Sequence, residues 1–495
     1  MTERPDVIVV GAGVAGLSAA LSAHDAGASV EVIECAPMEH RGGNTAFAAG
    51  SVRFAYDGVE DLLKVMPDLT ASEIETTDFG SYTDRYAHDM DRVTEGRADP
   101  ELVAALVDQS LDAFVWMRGK GVRFLPNYGR QSFREGTKRK FLGGCPVEVS
   151  GGGFGLLEAL YAALGRAGIP VVYETRVTSL IMGHSGVEGV RVRRGMHRED
   201  RRAGAVVLAS GGFESNTEWR ARYLGPGWDL AKVRGTRFNT GDGLRMALDA
   251  GAAAAGNWSG CHSVAWDLSA PEFGDIAVGN DFKKDSFQYA IVVNAKGERF
   301  LDEGADFRNF TYAKYGAVIL QQPGQFAWQV FDGKVLGLLR GEYRIRQVTK
   351  VRADTIEELA EKLYGVDPQG FLKTVREFNA AVAQERPFNP NVKDGRATRG
   401  LSVPKSNWAN TIDEPPFEAY GVTCGITFTF GGVKISPSCN VMDVDGRPVP
   451  GLFACGTIAG GLFYFNYPGG AGLAAGAVFG RAAGNSAAAA AKERS

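Results

Sequence analysis

Residues 6–34, DVIVVGAGVAGLSAALSAHDAGASVEVIE, constrain this chain more than any other segment. A β-branched run from Val7 to Val10 meets a turn carrying Gly11, Gly13 and Gly16, with Ala15 at the start of the helix that follows. That helix is built of small residues and closed by Gly27, and a second strand, Ser29 to Ile33, ends on Glu34. Gly11 permits a tight strand-to-helix turn, Gly13 lets a pyrophosphate approach the backbone, and Gly16 lets the helix pack on the strand. The helix N-terminus offers amide groups and partial positive charge to phosphates. Glu34 stands about 20 residues on, where a carboxylate takes ribose hydroxyls and disfavours a 2′-phosphate. The unit predicts a dinucleotide site in a Rossmann-like α/β domain; a nucleotide-free tight turn is the bland alternative.

At 495 residues the chain is long enough for two or three domains with a large core. A formal net charge of −4 is near balance, which argues against a nucleic-acid surface and against an acidic disordered tail. No run of about 18 apolar residues argues for a membrane span. The opening MTERP runs directly into the first strand, so neither a signal peptide nor a twin-arginine stretch is expected. Cys35, Cys145, Cys261, Cys424, Cys439 and Cys455 are scattered without CxxC pairing and read as free thiols of a cytoplasmic protein, with no metal site.

Along the chain, residues 60–120 read as largely helical. A basic segment follows that reads as a loop, with Arg130, Arg134, Lys138, Arg139 and Lys140 close together. GGGFGLLEALYAALGRAGI (151–169) repeats the glycine-then-helix pattern, AVVLASGGFESN (205–216) is a buried strand ending in small residues, and TGDGLRMALDAGA (240–252) is a turn entering a helix. Composition changes near residue 257, after which tryptophan, phenylalanine and charge rise until about residue 425. The two ends share one character, which suggests an insertion into a nucleotide-binding domain. A small-residue helix closes the chain, with a frayed end expected beyond residue 485.

The segments GAGVAG, RGGNTAFAAG, LASGGF, TGDG, GERFLDE, FTFGGVKIS, GLFACGTIAGG and YPGGAGLAAG occur in order across nearly the whole chain. Together they resemble the flavoprotein family of fumarate reductase and succinate dehydrogenase subunits, which also includes the 3-ketosteroid dehydrogenases. Within it, NWSGCH (257–262), DEGADFRNFTYAKYG (302–316) and FYFNYPGGAGLAAGAVFGR (463–481) are most similar to the tricarballylate dehydrogenases. The resemblance implies an FAD-binding domain of glutathione-reductase type from residues 1–256 and 428–495. An inserted α+β capping domain, 257–427, would close over the flavin, with substrate between the two.

The same resemblance implies the cofactor contacts. Gly11, Gly13, Ala15, Gly16 and Glu34 would hold the pyrophosphate and adenosine ribose. Arg41, Gly42, Gly43, Asn44 and Thr45, with Ala49 and Gly50 closing that segment, would line the pyrophosphate, ribityl chain and ring. Some relatives attach FAD through a histidine at the Asn44 position; Asn44 implies non-covalent FAD. Val177 would contact adenine, Ala209 and Gly211 would pack near the nucleotide, and Asp242 would either anchor the flavin side or merely cap its helix. Gly456 and Thr457 stand where many relatives carry Gly-Glu. Gly470, Gly472 and Leu473 open the last helix, whose N-terminal dipole would point at the flavin N1 and O2.

For the substrate, Arg308 falls one residue off the family's proton-shuttling arginine and reads as proton carrier, carboxylate ligand or surface salt bridge. An arginine side chain ordinarily keeps its proton below about pH 12, so the role requires a carboxylate relay, for which Glu303 and Asp306 are the local candidates. His262 stands at a substrate-binding histidine position or is a buried structural histidine. Two motif positions depart: Thr427 replaces a histidine, and Tyr467 replaces an arginine, exchanging a bidentate carboxylate fork for a hydroxyl. The basic segment from Arg130 to Lys140 is either a solvated loop or a partner for a polyanion.

The expected function is dehydrogenation of a small polycarboxylate, of the tricarballylate-to-cis-aconitate type, with hydride to flavin N5 and proton to an arginine- or tyrosine-centred base. A desaturase or reductase of a carbonyl compound, steroid-like or from secondary metabolism, and a flavoprotein electron carrier without turnover are the alternatives. The expected partner is a membrane-associated electron-transfer protein or a quinone.

Overall fold

The computed structural model describes residues 4–141 and 143–494, and all side chains among them except those of Arg130 and Gln131. The expectation for the Arg130 side chain therefore lies outside the described residues. The chain forms two compact units, one of Met1–Gly225, Gly235–Cys261 and Phe428–Ser495, the other of Pro226–Arg234 and His262–Thr427. The first division thus falls after Cys261 rather than after residue 256. Segment 226–234 also leaves the first unit for the second, because Lys232–Val233 pairs in parallel with Gly425 and Ile426 there.

The first unit starts with β1 (Val7–Val10), α1 (Val14–Asp25) and β2 (Val30–Ile33), then carries α2 (Gly152–Ala167), β3 (Val171–Val172) and β4 (Ala205–Leu208). It ends with β5 (Asn440–Met442), β6 (Pro448–Ala454) and α3 (Ala471–Glu493). The sheet order is β5-β6-β4-β1-β2-β3, parallel except for β5 on β6. Strands β1 and β4 are buried along their whole length, as a sheet covered on both faces requires, and are correspondingly built of valine, isoleucine, leucine and alanine. A separate three-stranded antiparallel sheet, Arg176–Gly183, Gly186–Arg194 and His197–Arg202, follows β3.

Helix α3 lies directly on α1. A Cβ on Gly480 would come 2.5 Å from Ala15 O, and one on Gly484 would come 2.2 Å from Ala19 O, so only glycine admits this approach. The same packing overturns the expected frayed end: the helix continues to Glu493 and buries Ala487, Ala488 and Ala491. Arg494 pins it by donating to Val187 O and Gly204 O, both at 2.8 Å. The basic stretch is also corrected, from loop to β-hairpin, with Ser132–Glu135 paired antiparallel to Lys138–Phe141. Its charges are partly answered locally: Lys140 Nζ lies 2.5 Å from Glu135, and Arg139 sits 4.7 Å over the Tyr128 ring.

The second unit is built on Phe417–Thr429, a strand buried along nearly all its length. Phe326–Phe331 and Lys350–Ala353 pair with it antiparallel, Lys232–Val233 in parallel, and Cys261–Asp267 joins the same sheet. Helices Ile356–Lys362 and Pro368–Ala381 start where Thr355 and Asp367 accept hydrogen bonds from first-turn amides. They bury Leu359, Phe371, Val375 and Phe378 against Trp328 and Phe417 of the sheet. Among the described residues no helix is long and apolar enough to cross a membrane, and no three metal-capable side chains cluster.

Candidate active site

At the C-terminal end of β1 the glycine turn, the RGGNT segment and the β2 carboxylate come together. Thr45 Oγ1 accepts from the Val14 amide at 3.0 Å, which seats that segment on the N-terminus of α1. Gly13 is the helix N-cap and no side chain caps it. Glu34, 5 % exposed, accepts from Ala12 N and Ala36 N, each at 2.8 Å. Tyr161 donates to Ala12 O at 2.9 Å, and Arg41 lies 4.4 Å over the Tyr161 ring and 3.0 Å from Glu158. Ala209 backs the turn, since a Cβ on Gly11 would come 2.5 Å from its carbonyl oxygen, and Gly50 beside Ala49 packs on Gly152.

Asp242 accepts from Arg176, the neighbour of buried Val177, and from Thr240. It does not occupy the N-cap of its helix, because Gly241 holds that position.

Farther along the same unit, Asn44 Nδ2 donates to Glu214 Oε1 at 2.7 Å and Asn44 Oδ1 accepts from Thr236 N at 2.9 Å. Asn239 Nδ2 donates to the same Glu214 oxygen at 2.7 Å, beside Gly211. Arg53 Nε and Cys145 Sγ both donate to Gly469 O, at 2.8 and 3.0 Å, and fix the turn that leads into Gly470, Gly472 and Leu473 at the head of α3. Gly456 lies against Ala15, and an apolar cavity is lined by Phe428, Thr429, Gly456, Thr457, Phe463 and Gly472. The Tyr467 ring packs edge-on against Phe428 and Phe463, with centroids 5.5 and 5.4 Å away.

Glu214 was invisible in the sequence reading beyond its place in GGFESN. Burial pushes its carboxyl up to about 7, although the Asn239 and Asn44 amides pull the other way. Its folded pKa exceeds its ordinary 4.5, so the stability it contributes is complete below about pH 4.5 and is lost as pH rises through 7. The shift corresponds to a loss of about 3 kcal/mol. Glu214→Gln should flatten this slope: between acid and mildly alkaline buffer its Tm should fall less than that of wild type. Parallel Tm–pH curves for the two proteins would count against a buried, titrating Glu214.

In the second unit, parallel pairing sets the chain so that Arg234 N donates to Ile426 O at 2.8 Å. The Arg234 guanidinium then reaches Thr427 Oγ1 from Nη1 at 3.1 Å and Asn280 Oδ1 from Nη2 at 2.6 Å and Nε at 3.2 Å. His262 is fully buried and edge-on to Tyr312 at 5.2 Å. Burial above all, then the charges of Arg234 and Lys283, hold its imidazole well below the usual histidine range, so the ring is neutral at physiological pH.

Arg308 lies 3.8 Å from Asp285, whose other cation, Lys283, is at 2.5 Å. Burial works to raise the Asp285 carboxyl, but Lys283 and Arg308, with Arg340, outweigh it and keep Asp285 ionised. Asp285 is therefore a carboxylate beside Arg308 that the sequence, which offered Glu303 and Asp306, did not reveal. Glu303 Oε2 accepts from Arg299 at 2.6 Å and its Oε1 from Val292 N at 2.8 Å, while Asp306 sits 3.4 Å from Lys393. Arg234, Asn280, Lys283 and Asp285 were missed in the sequence; the charged run KKD just before the apolar IVV strand was the one available signal.

The chain matches the FAD binding domain family over residues 6–473. It belongs to that family. The "Probable fumarate reductase Ifc3" of Shewanella frigidimarina is 30 % identical, covering 98 % of this chain and 75 % of that protein. The 3-oxosteroid 1-dehydrogenase of Mycolicibacterium smegmatis is 26 % identical, covering 94 % of both. The open conformation of a flavocytochrome c3 fumarate reductase superposes with a TM-score of 0.74 at 26 % identity, covering 99 % of this chain and 79 % of that one.

As a member of the FAD binding domain family the protein is an FAD-dependent oxidoreductase. Its residues fit the cofactor on their own geometry. A Cβ on Gly11 or Gly16 would strike backbone oxygen, at 2.5 and 1.9 Å, so the turn itself demands glycine there. At Gly13 a Cβ would meet only Gly42 O and Thr45 Oγ1 at an ordinary 3.5 Å, so the turn leaves space at Gly13, where a pyrophosphate would approach the backbone.

Proposed function

We propose that the protein dehydrogenates a small polycarboxylate between the carbons α and β to a carboxylate, as in the conversion of tricarballylate to cis-aconitate. The observation that carries this reading is the group Lys283, Arg308 and Asp285, two cations beside one buried carboxylate, with a neutral His262 close to Lys283. Such a cationic group suits a substrate that carries carboxylates. Arg308 hands its own proton to Asp285 as it receives the α-proton, so that it remains a guanidinium and Asp285 becomes the carboxylic acid, and His262 offers the substrate a neutral hydrogen bond. Thr427 supplies a hydroxyl where the family motif carries a histidine.

A bound FAD would supply the hydride acceptor, so that the substrate would lose one proton and one hydride and gain a C=C bond. Asn44 has no nucleophilic ring nitrogen and holds the cofactor without a covalent link. Because the cofactor must be reoxidised, a separate electron-transfer protein or a quinone is the proposed acceptor.

A second reading, oxidation or reduction next to a ketone, draws on Tyr467 and on the similarity to 3-oxosteroid 1-dehydrogenase. Anaerobic mixing separates the two. Tricarballylate should bleach the visible flavin absorbance of the holoenzyme, whereas bleaching by a 3-ketosteroid alone would sink the polycarboxylate assignment.

A further inference from the structure

We propose that Arg234 binds a carboxylate of the substrate, taking over the work that the family motif assigns to the position now held by Thr427. The inference rests on the polycarboxylate reading and names one of the residues that recognises it.

Arg234 is 7 % exposed, and its hydrogen bonds go to two neutral oxygens, those of Asn280 and Thr427. Among the described residues no carboxylate forms an ion pair with it. A buried guanidinium without a counter-ion is destabilising, and a strap between two loops needs no charge, since a glutamine amide could bridge the same acceptors. Three of its five N–H groups are used, and both terminal nitrogens keep donor capacity, the fork that a carboxylate takes bidentately.

The neighbourhood is built for an anion. Arg234 and Lys283 both bear on buried His262, and Asp285 is already matched by Lys283 and Arg308. Strand pairing explains why the arginine stands here. Arg234 N bonds to Ile426 O, which delivers the side chain to Thr427, 193 residues away in the chain. Threonine at that position is shorter than the histidine of the motif and leaves the guanidinium room to reach in.

The test uses oxidised holoenzyme titrated with malonate, which carries carboxylates but no CH–CH bond to oxidise, alongside steady-state turnover of tricarballylate. Losing a charge-assisted hydrogen-bond pair, Arg234→Gln should weaken malonate binding by about ten- to a hundredfold. It should raise KM more than it lowers kcat, keep the bound FAD and hold Tm at or above that of wild type. Arg234→Lys, which keeps the charge but not the fork, should fall between the two, and it carries the test if the glutamine variant does not fold. Malonate binding and KM within threefold of wild type in Arg234→Gln would overturn the role of Arg234 while leaving the polycarboxylate reading intact. Wild type that ignores malonate and tricarballylate but is reduced by a neutral ketone would overturn that reading, and this inference with it.

Discussion

Arg308→Gln should leave the protein yellow and folded but lower kcat by about 10²- to 10⁴-fold, the range that a positioned proton carrier contributes. The expectation follows from what surrounds the side chain. A guanidinium is a poor base in water, and it moves a proton only when a partner takes up the compensating charge. Asp285 is that partner, 3.8 Å away and kept anionic by Lys283. Arg308→Lys should recover part of the rate with a shifted pH profile, because an ammonium gives up its proton more readily than a guanidinium. Asp285→Asn should lower kcat as well, with KM less affected. Exchange of the substrate α-hydrogen with solvent, followed by NMR, isolates the step. An Arg308→Gln enzyme that exchanges this hydrogen at the wild-type rate would remove Arg308 from proton transfer and leave it a structural ion pair.

Gly16→Ala should cost about 3 kcal/mol or more in stability and strip the protein of FAD, the upper end for overpacking a tight contact. The added Cβ would stand 1.9 Å from Gly11 O and 3.3 Å from Ala209 Cβ, and neither the turn nor the fully buried strand β4 behind it can retreat. Helix α1 would have to lift off the sheet, and α3 is packed against it through glycines that allow no slack. Gly13→Ala is the control: its Cβ fits the chain at 3.5 Å, so the variant should fold with the wild-type Tm in the absence of FAD yet bind the cofactor at least tenfold more weakly. The measurements are thermal unfolding with and without FAD, and titration of FAD into the apoprotein. Equal stability losses in the two variants would contradict the division of labour between turn-forming and ligand-facing glycines.

These two predictions come from opposite ends of what can be read without a structure. The glycine turn, the strands on either side of it and Glu34 are local: each is fixed by backbone sterics or by a side chain within a few tens of residues, so spacing alone carries the information. The helical reading of residues 60–120 was legible for the same reason, from apolar periodicity, and Pro100–Gly119 lies within it. Local pattern misled where packing decides. An alanine-rich end has weak periodicity and reads as frayed, yet it is ordered because α1 presents an equally flat surface to it. A basic run reads as a loop, yet backbone pairing makes it a hairpin whatever its charge.

The sequence by itself determined the dinucleotide-binding βαβ unit, because that depends on short-range geometry, while the motifs shared with a known family implied the flavin and the kind of redox enzyme built on it. Only the tertiary structure decided which charges meet: Asp285 rather than Glu303 beside Arg308, and Arg234 beside Thr427. Electrostatic partnership depends on distance in space, and strand register across the long Phe417–Thr429 strand sets that distance, not separation along the chain.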